Sequence, residues 1–246
     1  MKIDIMTLFP QMCEAVLGDS IIGRARKSQK VEINCVNIRD FSGNKHNKVD
    51  DTTYGGGMGM VMAAAPIFNC FNSLYDKTKE EKPHLIYMSP KGETFTQKKA
   101  VELANYEHIV ILCGHYEGVD QRVLDEIVDE EISVGDYVLT GGELPAMTVA
   151  DAVCRMLPGV LADNVCFTDE SHFDGLLEYP QYTKPEEWMG RKVPEVLLSG
   201  HHENIAKWRR LKAIEETFKR RPDMLSNANL SKKEKEFLET LSKDVK

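Results

Sequence analysis

Residues 133–147 read Ser-Val-Gly-Asp-Tyr-Val-Leu-Thr-Gly-Gly-Glu-Leu-Pro-Ala-Met, a glycine-punctuated turn that runs into apolar sequence. Gly135, Gly141 and Gly142 fall within eight residues, and Pro145 follows where a helix can begin. Glycine reaches backbone conformations closed to other residues and lets a ligand approach the main chain. Proline is tolerated in a first helical turn, where its missing N–H is no loss. The stretch therefore predicts a bent, ligand-facing loop that launches a helix over 145–157.

Working outward, short apolar runs alternate with helical patterns. Strands are expected at 84–88, 108–113 and 132–134, with helices at 96–106 and 121–128 between them. Further strands are expected at 2–9 and 31–37, with helices at 10–17, 21–28 and 66–75. This alternation predicts a parallel sheet covered by helices. Ligands bind such sheets beyond the carboxyl ends of the strands. Loops 87–92, 113–118 and 133–147 all lie at such ends, so one pocket lined by three glycine-bearing turns is expected. Residues 39–60 have no convincing period and contain Gly55-Gly56-Gly57-Met58-Gly59, which reads as a long functional loop.

The sequence changes character after Leu157. Residues 158–185 lack sustained periodicity and read as a linker. A helix over 203–221 follows, with Ile205, Trp208, Leu211, Ile214 and Phe218 at three- and four-residue spacing. Ser231-Lys-Lys-Glu234 is a capping box opening a last helix.

Composition narrows the function classes. The 42% hydrophobic and 28% charged content is ordinary for a globular protein. No apolar run approaches the ~20 residues that span a bilayer, and Met1-Lys2-Ile3-Asp4 does not open like a signal peptide. Cysteines at 13, 35, 70, 113, 154 and 166 form no C-x-x-C pair. That spacing suits neither zinc nor a disulfide framework, and predicts buried thiols in a reducing, cytoplasmic setting. The net charge of −8 is unevenly spread: residues 201–246 hold 12 Lys+Arg against 8 Asp+Glu, and the remainder 19 against 31. A basic segment on an acidic body can bind phosphates locally.

No P-loop or complete G-x-G-x-x-G is present, and no serine occupies a G-x-S-x-G elbow. His46, His172, His201 and His202 have no metal-ligand spacing, so no metal site is expected. The helix 145–157 is apolar except at Thr148, Asp151 and Arg155, which share a face. Apolar character on most sides places it in a core or a subunit interface. Arg155 has two readings: a pair with Asp151 worth about 0.2–0.5 kcal/mol, or a cation that stabilises negative charge in a pocket. Asp169 and Glu170 are likewise either a solvated turn or a general base on a loop that orders over substrate.

Several longer motifs carry a resemblance. They are Leu8-Phe9-Pro10, Val49-Asp50-Asp51 with Tyr54-Gly55-Gly56-Gly57-Met58-Gly59-Met60, and Tyr87-Met88-Ser89-Pro90-Lys91-Gly92. Cys113-Gly114-His115-Tyr116-Glu117-Gly118, the stretch 133–147, Gly175-Leu176-Leu177, Tyr182-Thr183-Lys184-Pro185 and Val196-Leu197-Leu198-Ser199-Gly200 continue the series. Over essentially its full length the chain resembles bacterial tRNA (guanine-N1)-methyltransferases, the TrmD-type family of the SPOUT superfamily.

The resemblance implies an α/β fold, a parallel sheet with flanking helices and a deep trefoil knot, plus a small C-terminal all-helical domain. It places a knotted domain that binds S-adenosylmethionine (SAM) at 1–160, a linker carrying the catalytic acid at 161–176, and a helical tRNA-binding domain at 177–246. It implies methyl transfer from SAM to N1 of guanosine 37, in the anticodon arm of tRNA, by a homodimer with active sites at the subunit interface and no membrane association. Mg2+ stands beside SAM as a further cofactor candidate. Matched by position, the SAM pocket comprises Tyr87, Ser89, Pro90, Gly92, Gly114, Tyr116, Glu117, Val134, Gly135, Asp136, Tyr137, Val138, Leu139 and Gly141. His46, Asp50, Gly59, Arg210 and Arg220 are the tRNA candidates, and Arg155 matches the catalytic arginine. The family's catalytic aspartate precedes a serine and aligns with Glu170, which leaves Glu170 first and Asp169 second as the base. His115 and Thr52 stand where arginine is common. The alternative is a nucleotide-binding α/β protein without RNA methylation activity.

Overall fold

The computed structural model describes residues 1–162 and 170–244, so Asp169 and Cys166 lie outside the described residues. The chain divides into two compact units, Met1–Asn164 and Val165–Lys246. In order, the first unit contains β1 (Lys2–Thr7), α1 (Pro10–Leu17), α2 (Ser20–Lys27), β2 (Glu32–Asn37), a 3₁₀ turn (Ile38–Phe41), β3 (Asp50–Thr52) and β4 (Met60–Met62). It continues with α3 (Ala64–Ser73), β5 (His84–Thr94), α4 (Gln97–Leu103), β6 (His108–Cys113), α5 (Gln121–Ile127), β7 (Glu130–Ser133) and α6 (Glu143–Arg155).

Five strands form one parallel sheet in the order β2-β1-β6-β5-β7. Side chains alternate across it because successive residues of a strand face opposite ways. Ile3, Ile5, Ile86, Ile109, Ile111 and Ile132 pack on one face with Leu17, Leu103, Ala150 and Val153 from α1, α4 and α6. Leu85, Tyr87, Val110 and Leu112 pack on the other with Ile67 and Phe71 of α3 and Val123 and Ile127 of α5. A sheet buried on both faces reads as nearly continuous apolar runs, which is why Ile109-Val-Ile-Leu-Cys113 is recognisable in the sequence.

The crossover from β5 to β6 through α4 covers the first face, and that from β6 to β7 through α5 covers the second. Strands β6, β5 and β7 thus meet at a point where the connections diverge, and their carboxyl ends leave a crevice there. From the edge strand β7 the chain returns to the middle of the sheet. The Gly142 N–H donates to the Gly114 carbonyl at 2.9 Å, and α6 then packs against β1, β6, α1 and α4.

Three expectations for this unit change. Strand β5 runs past 88 to Thr94, with Ile132 opposite both Met88 and Glu93. The residues between, Ser89–Pro90–Lys91–Gly92, are extruded as a bulge that brings Ser89, Pro90 and Lys91 to the crevice. Helix α6 starts at Glu143, two residues before Pro145. Residues 39–60 are not wholly irregular: β3 and β4 pair antiparallel, Asp50 opposite Met62 and Thr52 opposite Met60. Strands of three residues with Asp-Asp-Thr on one side carry no apolar alternation, so the pairing is invisible in the sequence.

Asp4, 1% exposed on β1, is a buried carboxylate away from the carboxyl ends of the strands. It accepts from Asn34 Nδ2 at 2.8 Å, contacts His108 Nε2 at 2.8 Å and pairs with Lys2 at 3.1 Å. Burial alone would push its carboxyl up, but hydrogen bonds from His108, Asn34 and Lys2 outweigh it and hold it below the ordinary 3.8. A depressed folded value gives stability that is full above 3.8 and lost as pH falls through the folded value. Asp4→Asn is expected to cost about 1–3 kcal/mol near neutrality, with the gap to wild type closing in strong acid. Denaturant unfolding at the two pH values checks this; a gap that persists in acid would remove the charge from the explanation.

The second unit contains a ribbon of β8 (Glu187–Trp188) and β9 (Arg191–Lys192), then α7 (Glu195–Leu198), α8 (His202–Arg220), a 3₁₀ turn (Pro222–Ser226) and α9 (Lys232–Asp244). It is therefore not all-helical. Met189 and Gly190 both take positive φ, 52° and 76°, the backbone that suits a tight two-residue hairpin turn. The capping box is formed, the Ser231 N–H donating to Glu234 Oε2 at 2.7 Å. The buried face of α8 differs from the expected stripe. Ala213, Ile214 and Thr217 are buried while Leu211 is exposed. Arg210 is partly buried beside this face. Among the described residues no helix is long and apolar enough to cross a membrane.

Candidate active site

A cleft of about 330 Å³ opens at the carboxyl ends of β5, β6 and β7, within the size range of small-molecule sites. Its walls are the three glycine-bearing turns. Tyr87, Ser89 and Pro90 come from the first, Gly114, Tyr116 and Glu117 from the second, and Val134, Gly135, Tyr137, Val138, Leu139 and Gly141 from the third. Two of the matched residues lie elsewhere. Asp136 is exposed and Gly92 is turned away, into the sheet.

Gly92 is there for packing. A Cβ at this position would sit 2.4 Å from the Glu131 carbonyl carbon, a backbone atom of β7. Gly92→Ala is expected to cost about 1–3 kcal/mol as β7 is pushed aside, read as a lowered Tm. An unchanged Tm would mean that the bulge can move freely.

Gly114, Gly118, Gly135, Gly141 and Gly142 line the cleft and can offer it only main chain, and the turns are braced to present it. The Ser133 hydroxyl donates to the Gly135 carbonyl at 2.9 Å, and Gly135 takes φ of 148°. Tyr116 is held at φ of 59°, a left-handed conformation that costs a non-glycine residue free energy and recurs at ligand sites. Burial first, then Glu131, pushes the Tyr87 phenol up, so it remains a hydrogen-bond donor at the base of the cleft. Cys113 is raised well above its ordinary value by burial first and Glu143 second, which keeps it an unreactive thiol.

Behind this wall is a cluster the sequence did not flag. Glu143, 3% exposed, accepts from the Thr7 hydroxyl at 2.6 Å through Oε1 and meets His115 Nε2 at 2.7 Å through Oε2. A carboxylate in a first helical turn ordinarily reads as a solvated charge facing the helix dipole, so its burial was not legible.

The remaining candidates are distributed. The hairpin of β3 and β4 is stitched to the second turn, with the Glu117 N–H donating to Met60 at 3.0 Å and the Met62 N–H to Gly118 at 2.9 Å. Gly59, at φ of 99°, abuts Glu117, whose Oε1 would lie 2.5 Å from an added Cβ. Asp50 opens β3, and His46 is exposed in the preceding turn. Arg155 ends α6. With a rise of 1.5 Å per residue it lies about 18 Å along the helix axis from Glu143, and it is not among the residues lining the cleft of its own chain. Leu144, Thr148 and Asp151 share its outward side of the helix. Glu170 begins the described part of the second unit. Arg210 is engaged within that unit, its Nε donating to Glu234 at 2.8 Å and its other nitrogens to Asp174 and the Asn229 carbonyl. Arg220 is exposed and paired with Glu216 at 2.7 Å. Among the described residues no three His, Cys, Asp or Glu side chains are grouped to hold a metal ion.

Residues 1–227 match the model of the family described as tRNA (Guanine-1)-methyltransferase TrmD. The chain belongs to this family. Among its relatives, the tRNA (guanine-N(1)-)-methyltransferase of Ruminiclostridium cellulolyticum is 57% identical over 233 residues, covering 94% of this chain and all of that protein. The protein of the same name from Alkaliphilus oremlandii is 54% identical, with 98% of each chain covered. That of Bacillus cereus strain G9842 is 50% identical over 99% of this chain and 100% of its own. The shared region thus takes in the sheet, the cleft and nearly all of the second unit.

Proposed function

We propose that this TrmD-family chain methylates N1 of guanosine 37 in tRNA with SAM as donor. The observation that carries the reading is the convergence of three glycine-bearing turns on one cleft, in a chain of this family. The cleft offers main-chain donors and acceptors, an uncharged phenol and an apolar lip at Tyr137, Val138 and Leu139. That is a fitting donor set for a nucleoside and an amino-acid tail held largely by backbone. When bound, SAM supplies an electrophilic methyl carbon on its sulfonium.

The chain's own task is then the acceptor base. Guanine N1 carries a proton at neutral pH and is a poor nucleophile until that proton leaves. Glu170, with Asp169 as second candidate, takes the proton, and Arg155 stabilises the negative charge that develops towards O6. Holding the base in line with the methyl group supplies much of the remaining acceleration. Arg155 stands at the end of α6 remote from Gly142 and Pro145 and outside the lining of its own chain's cleft, which supports a homodimer in which the arginine serves the partner's cleft. The return of residues 134–142 from edge strand β7 to the sheet centre supports a trefoil knot, and α6 is the segment that would thread it. Arg220 and other exposed cations of residues 201–246 hold tRNA phosphates, while Arg210 keeps α8 and α9 together. His46, Asp50 and Gly59 are the candidates for contacting the anticodon arm.

Incubation with SAM and an unmodified tRNA transcript, followed by mass mapping, tests the reading. A single methyl on N1 of guanosine 37 is expected, and its absence with well-folded protein overturns the proposal. Binding of tRNA should also weaken steeply as salt rises. A nucleotide-binding protein without RNA activity would show no such binding.

A further inference from the structure

We infer that His115 and Glu143 form a clamp that joins the second and third turns into one wall of the SAM cleft, and that His115 is a positioning residue for the donor. The inference rests on the reading of the cleft as the SAM site. His115 belongs to the second turn, and Glu143 opens α6 directly after the third. Their side chains meet at 2.7 Å, with Glu143 3% exposed and the His115 side chain 14% exposed. Two bonds thereby join the turns side by side: this one, and the Gly142 N–H to Gly114 carbonyl at 2.9 Å.

The clamp is anchored from a third direction. Thr7, at the end of β1, donates to the other oxygen of Glu143 and accepts from the Phe9 N–H at 2.9 Å. The Phe9 ring meets the His115 ring edge-on at 5.1 Å. The ends of β1 and β6 and the start of α6 are therefore tied through one carboxylate, which the first-turn amides of α6 also favour. Gly141 leaves room for the clamp, and Gly142 for the main chain of the second turn. A Cβ on Gly141 would lie 2.2 Å from His115 Cε1 and 2.8 Å from Glu143 Oε2, and one on Gly142 would lie 2.6 Å from Cys113 Cα.

His115, Gly114, Gly141 and Gly142 all line the cleft, so the wall that presents main-chain groups to the ligand is the clamped one. A wall ordered before binding loses little freedom when the ligand arrives. Releasing it transfers that cost to the binding step. The effect should fall on affinity for SAM, leaving affinity for tRNA near its wild-type value.

The test compares His115→Leu, His115→Gln and Glu143→Gln in the full chain, with SAM binding followed by calorimetry and folding by thermal melts. His115→Leu removes the ring nitrogen that meets the carboxyl group and is expected to weaken SAM binding about tenfold to a hundredfold, the range for a hydrogen bond to a charged group. His115→Gln keeps an N–H within reach of the carboxylate and should recover most of that loss. Glu143→Gln retains the volume but loses the charge, and should raise the KM for SAM without raising the KM for tRNA. A merely structural role would lower the active fraction and kcat and leave the SAM dissociation constant unchanged. The clamp is overturned if His115→Leu or Glu143→Gln binds SAM like wild type, or if His115→Gln is as impaired as His115→Leu. Should His115→Leu not fold, the Glu143→Gln measurement alone decides. Failure of wild type itself to bind SAM would instead overturn the reading of the cleft.

Discussion

Glu170→Gln is expected to slow single-turnover methylation by about 10²–10⁴-fold, the usual contribution of a positioned general base. The substitution keeps the shape and hydrogen-bonding reach of the side chain and removes only its capacity to take a proton. SAM binding, which depends on the cleft in the first unit, should be unchanged. The loss should also shrink as pH rises towards the point where guanine N1 gives up its proton unaided, because the base is then no longer needed. Asp169→Asn is the necessary companion. If it is the more damaged of the two, the roles of the adjacent acids exchange. If neither variant loses more than about tenfold, well short of a base's share, the proton leaves by another route and the proposed step is wrong.

Glu170 also illustrates what a sequence conveys about a site. Two neighbouring acids announce a charge but not an address, because the address depends on how the second unit meets its substrate. The three glycine turns are different. Each is legible locally, since Gly135, Gly141 and Gly142 sit where an apolar strand run ends, and the rule that parallel strands present ligands at their carboxyl ends supplies the rest. Strand β6 was legible for a similar reason, being apolar throughout and buried on both faces.

The features that were not legible depend on partners far away along the chain. Glu143 is buried because Thr7 and His115, 136 and 28 residues distant, satisfy it. Nothing in Gly-Gly-Glu-Leu-Pro states this. The β3–β4 hairpin is held by main-chain pairing that any side chains could accompany. In α8 the large apolar residues suggested one buried face, yet the small interior of the second unit is built on Leu176, Ala213 and Ile214 and leaves Leu211 outside. Arg210, expected at a phosphate, is partly buried and engaged by Glu234, Asp174 and the Asn229 carbonyl within its unit. Local pattern locates strands and turns; the identity of a buried polar partner is a property of the closed fold.

Arg155→Ala should lower methylation about 10²–10³-fold, the cost of removing one group that stabilises charge developing in the transition state. The more informative experiment uses the distance along α6. Because Arg155 lies about 18 Å from the start of its helix, it is expected to act in the cleft of the partner. A variant that damages only the cleft, Gly141→Ala, whose Cβ would collide with His115, should then be inactive for a separate reason. Each homodimer is inactive, but a heterodimer of the two places both lesions in one site and neither in the other. Every dimer that carries both tags is mixed and holds one intact site of two, so activity should return to about half of wild type in that fraction, as two-fold symmetry requires. Co-expression with two affinity tags, purification through both and a methylation assay give the result. Recovery in the doubly tagged fraction means that sites are shared between subunits. If that fraction is as inactive as its parents while sizing as a dimer, Arg155 does not serve a partner's cleft, and its place in the mechanism falls.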